Sequence, residues 1–271
     1  MASFHSVVSL SVFLIEPSPV QARVICAALK NFDISNVRVF DRGNDALVEM
    51  CENRPDLVIS ALYLPDMTGT ELVISMRSDP DLESVAFILI SSETRPQALD
   101  PVRQSGVCGI LPKPFSQAQL STALSTTLDY LHTDESLANE SVDLESLKVL
   151  LVDDSSSARK FSRRVLENLG ITNFVEAENG VDAIAKLAET MFDLVVTDYN
   201  MPEMDGRALV EYIRTQSWQN SVPILMVTSE RDEGRLAGVE DAGVSGICDK
   251  PFEPSVIKRL LEKILSDPER Y

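Results

Sequence analysis

The chain reads as an α/β protein: two doubly wound (βα)5 domains, each built on a parallel five-stranded sheet. Three observations carry that reading. The length of 271 residues suits two domains at roughly 100–200 residues each. The chain matches itself without a gap at an offset of 137 positions. Within each copy, short β-branched runs alternate with amphipathic stretches, the pattern of strands connected by helices.

The repeat is legible segment by segment. "SVFLIEPS" (11–18) falls on "KVLLVDDS" (148–155), and "VISALYLPDMTG" (58–69) falls on "VVTDYNMPEMDG" (195–206). "VAFILISSE" (85–93) falls on "VPILMVTSE" (222–230), and "GVCGILPKPF" (106–115) on "GVSGICDKPF" (243–252). A period this long marks duplicated domains rather than a solenoid. "KVLLVD", "DLVVTD" and "PILMVTS" lack polar alternation, as strands buried on both faces do. "SSSARKFSRRVLENLG" offers serine N-caps and stops at Gly170. "NGVDAIAKLAET" and "GRALVEYIRTQ" also read as helices. The first domain spans residues 1–131 and the second 147–271. Residues 132–146, "HTDESLANESVDLES", are polar and acidic and read as a linker. The alternative is a continuation of the helix in "QAQLSTALSTTLDYLH" (117–132), whose apolar spacing is about 3.6.

Bulk composition narrows the function classes. A net charge of −18 argues against a nucleic-acid surface and against an anionic membrane, since both need a basic face. The four cysteines, Cys26, Cys51, Cys108 and Cys248, show no CxxC pair and read as reduced, mostly buried thiols of a cytosolic protein. The N-terminal "SVVSLSVFLIEP" lacks a basic start and a small-residue cleavage site, so it does not read as a signal peptide. No apolar run reaches the roughly 18–20 residues that span a bilayer. No GxGxxG or P-loop motif follows a strand.

The chemistry collects where such a sheet binds its ligands, beyond the C-terminal ends of the strands. In the second copy, strand one ends in Asp153 and Asp154, strand three in Asp198, strand four in Thr228 and strand five in Lys250. Three carboxylates crowded on one rim repel one another, and a divalent cation relieves that repulsion. An oxygen-only donor set with room for water suits Mg²⁺. Lys250 adds a fixed positive charge and Thr228 a hydroxyl. The set forms a cradle for a tetrahedral anion carried on one carboxylate, the layout of phosphoryl transfer.

These motifs, "LVDDS", "VVTDYNMPEMDG", "MVTSE" and "DKPF", resemble those of response-regulator receiver domains of the chemotaxis-regulator type. The resemblance covers nearly all of residues 147–266 and implies a flavodoxin-like (βα)5 domain. It implies that Asp198 accepts a phosphoryl group from a sensor histidine kinase or a phosphotransfer protein. It further implies that Asp153, Asp154, Asp198 and the backbone carbonyl of Asn200 hold Mg²⁺. Thr228 and Lys250 would contact phosphoryl oxygens, and the Lys250–Pro251 bond would be cis. Asn200 and Glu230 match the pair of the rapidly dephosphorylating chemotaxis regulator, implying an acyl phosphate lasting minutes or less. One position departs from the family: Ile247 stands where a tyrosine or phenylalanine usually swings inward.

At the same offset the first copy has lost its acids. Glu16 stands for Asp153, Pro17 for Asp154, Ala61 for Asp198, Tyr63 for Asn200 and Ser91 for Thr228, while Lys113 is kept. An alanine methyl cannot carry a phosphoryl group, so this copy reads as a degenerate receiver with the same fold. Ser60, beside Ala61, should point to the opposite face of its strand. Lys113, deprived of an acceptor, is expected to pair with Glu16. Gly69, Gly106 and the "KPF" segment indicate that the fold is maintained. The first domain then serves as a docking or dimerising platform, or biases the active copy, or remains as a packed remnant that stabilises its neighbour.

Other readings are weaker. His5 and His132 lack the helical context of a phosphotransfer histidine and read as surface residues. A phosphatase of the related chemistry would carry a second aspartate two residues after Asp198, where Asn200 stands. No basic recognition helix follows residue 266. The protein therefore signals by binding partners directly, or this chain belongs to a longer one. The leading expectation is a phosphorylation-operated switch, not an enzyme in the usual sense. The alternative is a phosphorelay intermediate or phosphate sink without conformational output.

Overall fold

A computed structural model of the protein describes residues 10–93, 95–131, 144–229, 233–250 and 254–265. The chain divides into two compact units at Leu131/His132. The first unit runs β1 (Val12–Ile15), α1 (Pro19–Lys30), β2 (Val37–Phe40), α2 (Gly43–Glu52), β3 (Leu57–Ala61), α3 (Gly69–Ser78), β4 (Ala86–Ser91), α4 (Pro96–Arg103), β5 (Gly109–Pro112) and α5 (Gln117–Leu131). The second repeats the order: β6 (Lys148–Val152), α6 (Ser156–Asn168), β7 (Asn173–Ala177), α7 (Gly180–Glu189), β8 (Leu194–Asp198), α8 (Gly206–Thr215), β9 (Ile224–Thr228), α9 (Glu233–Asp241), β10 (Gly246–Asp249) and α10 (Pro254–Leu265). The linker expected over residues 132–146 falls outside the described residues up to position 143, as do His5 and His132.

Each unit holds one five-stranded sheet, ordered β2-β1-β3-β4-β5 and β7-β6-β8-β9-β10. All pairings are parallel. This is the doubly wound order of flavodoxin-like domains, with its switch point beside the first strand of each unit. The central strands are buried along their whole length: β3, β4, β8 and β9 contain no exposed position. The edge strands β2 and β7 are only partly covered. That contrast explains why the inner strands read as unbroken apolar runs.

A large buried apolar cluster packs in each unit. Phe13, Ile15, Val58, Leu72, Met76 and Phe87 centre the first. Leu150, Val195, Leu209, Ile213, Ile224 and Met226 centre the second. Each fully buried side chain of this size contributes roughly 1.5–3 kcal/mol.

Local sequence sets the helix ends. Ser18, Ser155, Asn179 and Asp205 each accept a backbone N–H of the first turn of α1, α6, α7 and α8. Thr68 and Glu71 close a reciprocal capping box on α3. Gly170 adopts φ 100° just past α6 and lets the chain turn into β7, the stop expected from the sequence.

One expectation needs correction. Cys108 and Cys248 are buried, but Cys26 is half-buried and Cys51 is exposed. Cys51 lies on the solvent side of the last turn of α2, where its thiol donates to the Leu47 carbonyl at 3.4 Å.

Two arginines escaped the sequence reading although they sit at the same place in both copies. Arg77 donates to the carbonyls of Ser105, Val85 and Gly106 at 3.1, 2.9 and 2.9 Å. Arg214 donates to those of Gly243, Asn220 and Val222 at 2.9, 2.9 and 2.8 Å. Each guanidinium clasps two connections on the rim opposite the acidic one. Arg77→Met leaves these carbonyls, and that of Leu82 at 3.5 Å, without a charged donor. It is expected to lower stability by about 3 kcal/mol in guanidinium denaturation.

Candidate functional site

The acidic rim forms because parallel strands end at one level. Asp153 follows β6, and its N–H donates to the Ala177 carbonyl at 3.2 Å, extending the ladder by one residue. Asp198 closes β8, Thr228 closes β9, and Lys250 follows β10. The Lys250 N–H donates to the Thr228 carbonyl at 2.8 Å, which anchors the lysine backbone to the neighbouring strand. Lys250 Nζ then reaches back over the rim to Asp153 Oδ2 at 2.8 Å and Asp198 Oδ2 at 2.9 Å. All three side chains are nearly inaccessible, with exposures of 4%, 5% and 0% for Lys250, Asp153 and Asp198. Oxygens of Asp153, Asp154 and Asp198 lie within 4.8 Å of one another.

Two further contacts orient the central acid. The Tyr199 N–H donates to Asp198 Oδ1 at 2.7 Å. Gly206 opens α8 directly against this strand end, with its N–H on the Tyr199 carbonyl at 2.8 Å. A Cβ on Gly206 would stand 2.2 Å from the Asp198 carbonyl oxygen, so only glycine fits.

Electrostatics at the rim are those of charge taken out of water. Burial first, and then the charge of Asp198, push the Asp153 carboxyl up to about 6, with Lys250 pulling the other way. Asp154 is exposed but is also raised, by partial desolvation and then by Asp198. The sequence reading attributed this tension to mutual repulsion; the structure ranks burial above it. Burial pulls the Lys250 ammonium down, but the charges of Asp153 and Asp198 together outweigh it and hold Lys250 above its ordinary value.

The remaining expected residues divide. Thr228 is fully buried one register step beyond Asp198, which lies opposite Val227. Asn200 sits exposed in the loop after β8. Ile247 is half-buried and packs against the second core. Glu230 and the Lys250–Pro251 bond lie outside the described residues. The counterpart bond in the first copy, Lys113–Pro114, is cis.

The first unit keeps the rim and replaces its chemistry. Lys113 Nζ donates to Glu16 Oε2 at 2.6 Å, the pair expected from sequence. It also donates to Gln21 Oε1 at 2.6 Å, a partner that the sequence reading missed. Glu16 Oε1 accepts the Ser18 N–H at 3.0 Å, as Asp153 Oδ1 accepts that of Ser155 at 2.9 Å. Ala61 is buried, and Tyr63 is 61% exposed. The buried Ser60 hydroxyl donates to the Ala61 carbonyl at 2.9 Å, and Ser91 Oγ accepts the Glu93 N–H at 2.9 Å.

Comparison with known proteins finds relatives of both units. The family profile described as "Response regulator receiver domain" matches residues 12–125 and 149–262. The chemotaxis protein CheY of Pseudomonas aeruginosa is 40% identical over 118 residues, covering 44% of this chain and 95% of that protein. CheY-3 of Vibrio cholerae is 38% identical over 125 residues, covering 46% of this chain and 96% of its own. Among solved structures, CheY4 of Vibrio cholerae is similar at 35% identity, covering 44% of this chain and 98% of that one, with a TM-score of 0.40.

The raised carboxyls set the sign of the pH response. A group whose folded pKa exceeds its unfolded value loses stability as pH rises between the two. For Asp153 the window runs from 3.8 to about 6. Asp154 is shifted the same way, by partial desolvation and the charge of Asp198, so its ionised form also costs stability. Asp154→Asn is therefore expected to raise the melting midpoint by a few degrees in chelator at neutral pH, and the gain should vanish in acid, where the native carboxyl is already protonated.

Proposed function

The chain belongs to the response-regulator receiver family, and from that premise we propose that it is a two-component signalling protein switched by phosphorylation of Asp198. Family members act with sensor histidine kinases or phosphotransfer proteins, and one of these is the donor here. The supporting observation is the pairing of Lys250 with Asp198 inside a cluster of three carboxylates. An Oδ of Asp198 forms the new P–O bond as the P–N bond to the donor histidine breaks; the nitrogen keeps the electron pair and takes a proton. Lys250 is placed to follow the negative charge onto the phosphoryl oxygens, and the Thr228 hydroxyl to donate to one of them. Tyr199 N–H keeps the acceptor carboxylate oriented.

The donor set fits Mg²⁺: three carboxylates of which one faces solvent, no nitrogen or sulfur, and a local charge that a cation neutralises. Asp153, Asp154, Asp198 and the Asn200 carbonyl would hold it, and it would supply charge neutralisation to the transferring group. Asn200 and Glu230 would position the water that removes the phosphoryl group.

In this reading the first unit is a degenerate receiver, because Ala61 offers no side-chain oxygen and Lys113 is already satisfied by Glu16 and Gln21. It acts as an interaction module, through a further protein or a second copy of the chain. The net charge of −18 disfavours nucleic acid, and no described helix is long and apolar enough to cross a membrane. We place the protein in the cytoplasm, as a phosphoacceptor that assists its own phosphorylation and dephosphorylation. Residues 132–146 would link the two domains.

One observation favours the alternative of a relay or phosphate sink. Ile247 is held against the core and offers no ring to swing inward.

Mass spectrometry of the protein with Mg²⁺ and a small phosphodonor should show one phosphoryl group per chain. Asp198→Asn should show none. Ala61→Asp in that background should not restore labelling, since Pro17 supplies no second acid. Absence of labelling on the wild-type chain would overturn the proposal. The phosphoryl group should be lost within minutes; survival for many hours would refute the roles given to Asn200 and Glu230. With beryllofluoride, a change in partner binding or oligomer size absent from Asp198→Asn supports the switch, and phosphorylation without any change supports the sink.

A further inference from the structure

Behind the acidic rim stands an ionic ladder that the proposed chemistry does not use. Arg159, on α6, donates through Nη1 to the main-chain carbonyl of Asp153. Its Nε donates to Glu176 Oε2 at 2.9 Å. Glu176, on β7, is held from the other side by Arg163 Nη1 at 3.0 Å, and its main-chain carbonyl accepts Lys186 Nζ. Arg163 also lies over the Phe174 ring, 5.3 Å from its centroid. The Arg159 side chain is 11% exposed, so its fork has little freedom to leave.

The duplicated architecture supplies an internal control. At the 137-residue offset, Arg159, Arg163, Glu176 and Lys186 become Ala22, Cys26, Val39 and Glu49. The copy that lost its acid pair lacks every member of the ladder, yet forms the same sheet in the same order. The arginine clasp behaves differently: Arg77 and Arg214 persist in both copies. Fold maintenance therefore accounts for the clasp, and it does not account for the ladder.

We propose that Arg159 is a positioning residue for the Mg²⁺ pocket, fixing the Asp153–Asp154 peptide so that both carboxylates face Asp198. The inference rests on the phosphoacceptor reading above. The physical reason is local. Asp153 and Asp154 share one turn between β6 and α6, and the Asp153 carbonyl belongs to the peptide plane that joins them. A guanidinium on that carbonyl holds the plane and sets a permanent positive charge behind three anions. Glu176 orients the guanidinium, and Arg163 holds Glu176. Partners one shell removed from a metal tune affinity by orienting its ligands.

Calorimetric titration of the full chain with Mg²⁺ alone, paired with thermal melts in chelator, tests this. Arg159→Ala is expected to weaken Mg²⁺ binding by about 10-fold or more, Arg159→Lys to recover part of the loss, and Glu176→Gln to weaken it several-fold. Arg163→Ala is the structural control. It removes an ion pair from the same ladder but leaves the Asp153 carbonyl bonded, so it should lower the melting midpoint and hold Mg²⁺ affinity within about twofold. If Arg159→Ala does not fold, Arg159→Lys and Glu176→Gln carry the comparison. Unchanged affinity in these Arg159 and Glu176 variants, with a wild type that binds, overturns the inference alone. So does an equal loss in Arg163→Ala. A wild type that fails to bind millimolar Mg²⁺ overturns the phosphoacceptor reading, and this inference with it.

Discussion

The second unit is organised around one ammonium between two buried carboxylates. Lys250 meets Asp153 and Asp198 at 2.8 and 2.9 Å in a place that water barely reaches. Burying such charges is costly, and a single cation cannot neutralise three acids. The residual imbalance is visible in the raised carboxyls of Asp153 and Asp154. Everything close to the rim serves to hold this unbalanced arrangement: the Lys250 N–H on Thr228, the Tyr199 N–H on Asp198, the Ser155 N–H on Asp153. A pocket kept short of positive charge is one that gains by accepting a divalent cation.

The two copies separate what the fold needs from what the chemistry needs. Strand order, parallel pairing, the arginine clasp and the glycine that opens α3 or α8 occur in both. In the first copy Lys113 finds Glu16 and Gln21 as partners, and the rim is close to neutral without any ion. Lys113 keeps in Glu16 the counterpart of Asp153 and takes Gln21 as a partner where the first copy has no counterpart of the Asp198 carboxylate.

Sequence reading went furthest where a single strand end decides position. The unbroken apolar runs placed β6, β8 and β9, and with them Asp153, Asp198 and Thr228, because parallel strands of similar length end together. The Lys113–Glu16 pair followed from the same logic. What escaped were contacts through backbone carbonyls: Arg77, Arg159 and Arg214 all donate to main-chain oxygens, which carry no residue-type signature. The ordering of electrostatic causes was also beyond reach, since burial of Asp153 depends on packing and not on the identity of its neighbours. Cys51 was misjudged because hydrophobic character says little about which side of α2 a residue occupies.

The contact at Gly206 has a mechanical consequence. Its missing side chain lets the first turn of α8 rest directly on the backbone of Asp198 and Tyr199. Packed backbone of this kind compresses poorly. A shift of the β8 terminus is therefore expected to carry the first turn of α8 with it. The first turn of α8 is thereby seated on the backbone of Asp198 itself.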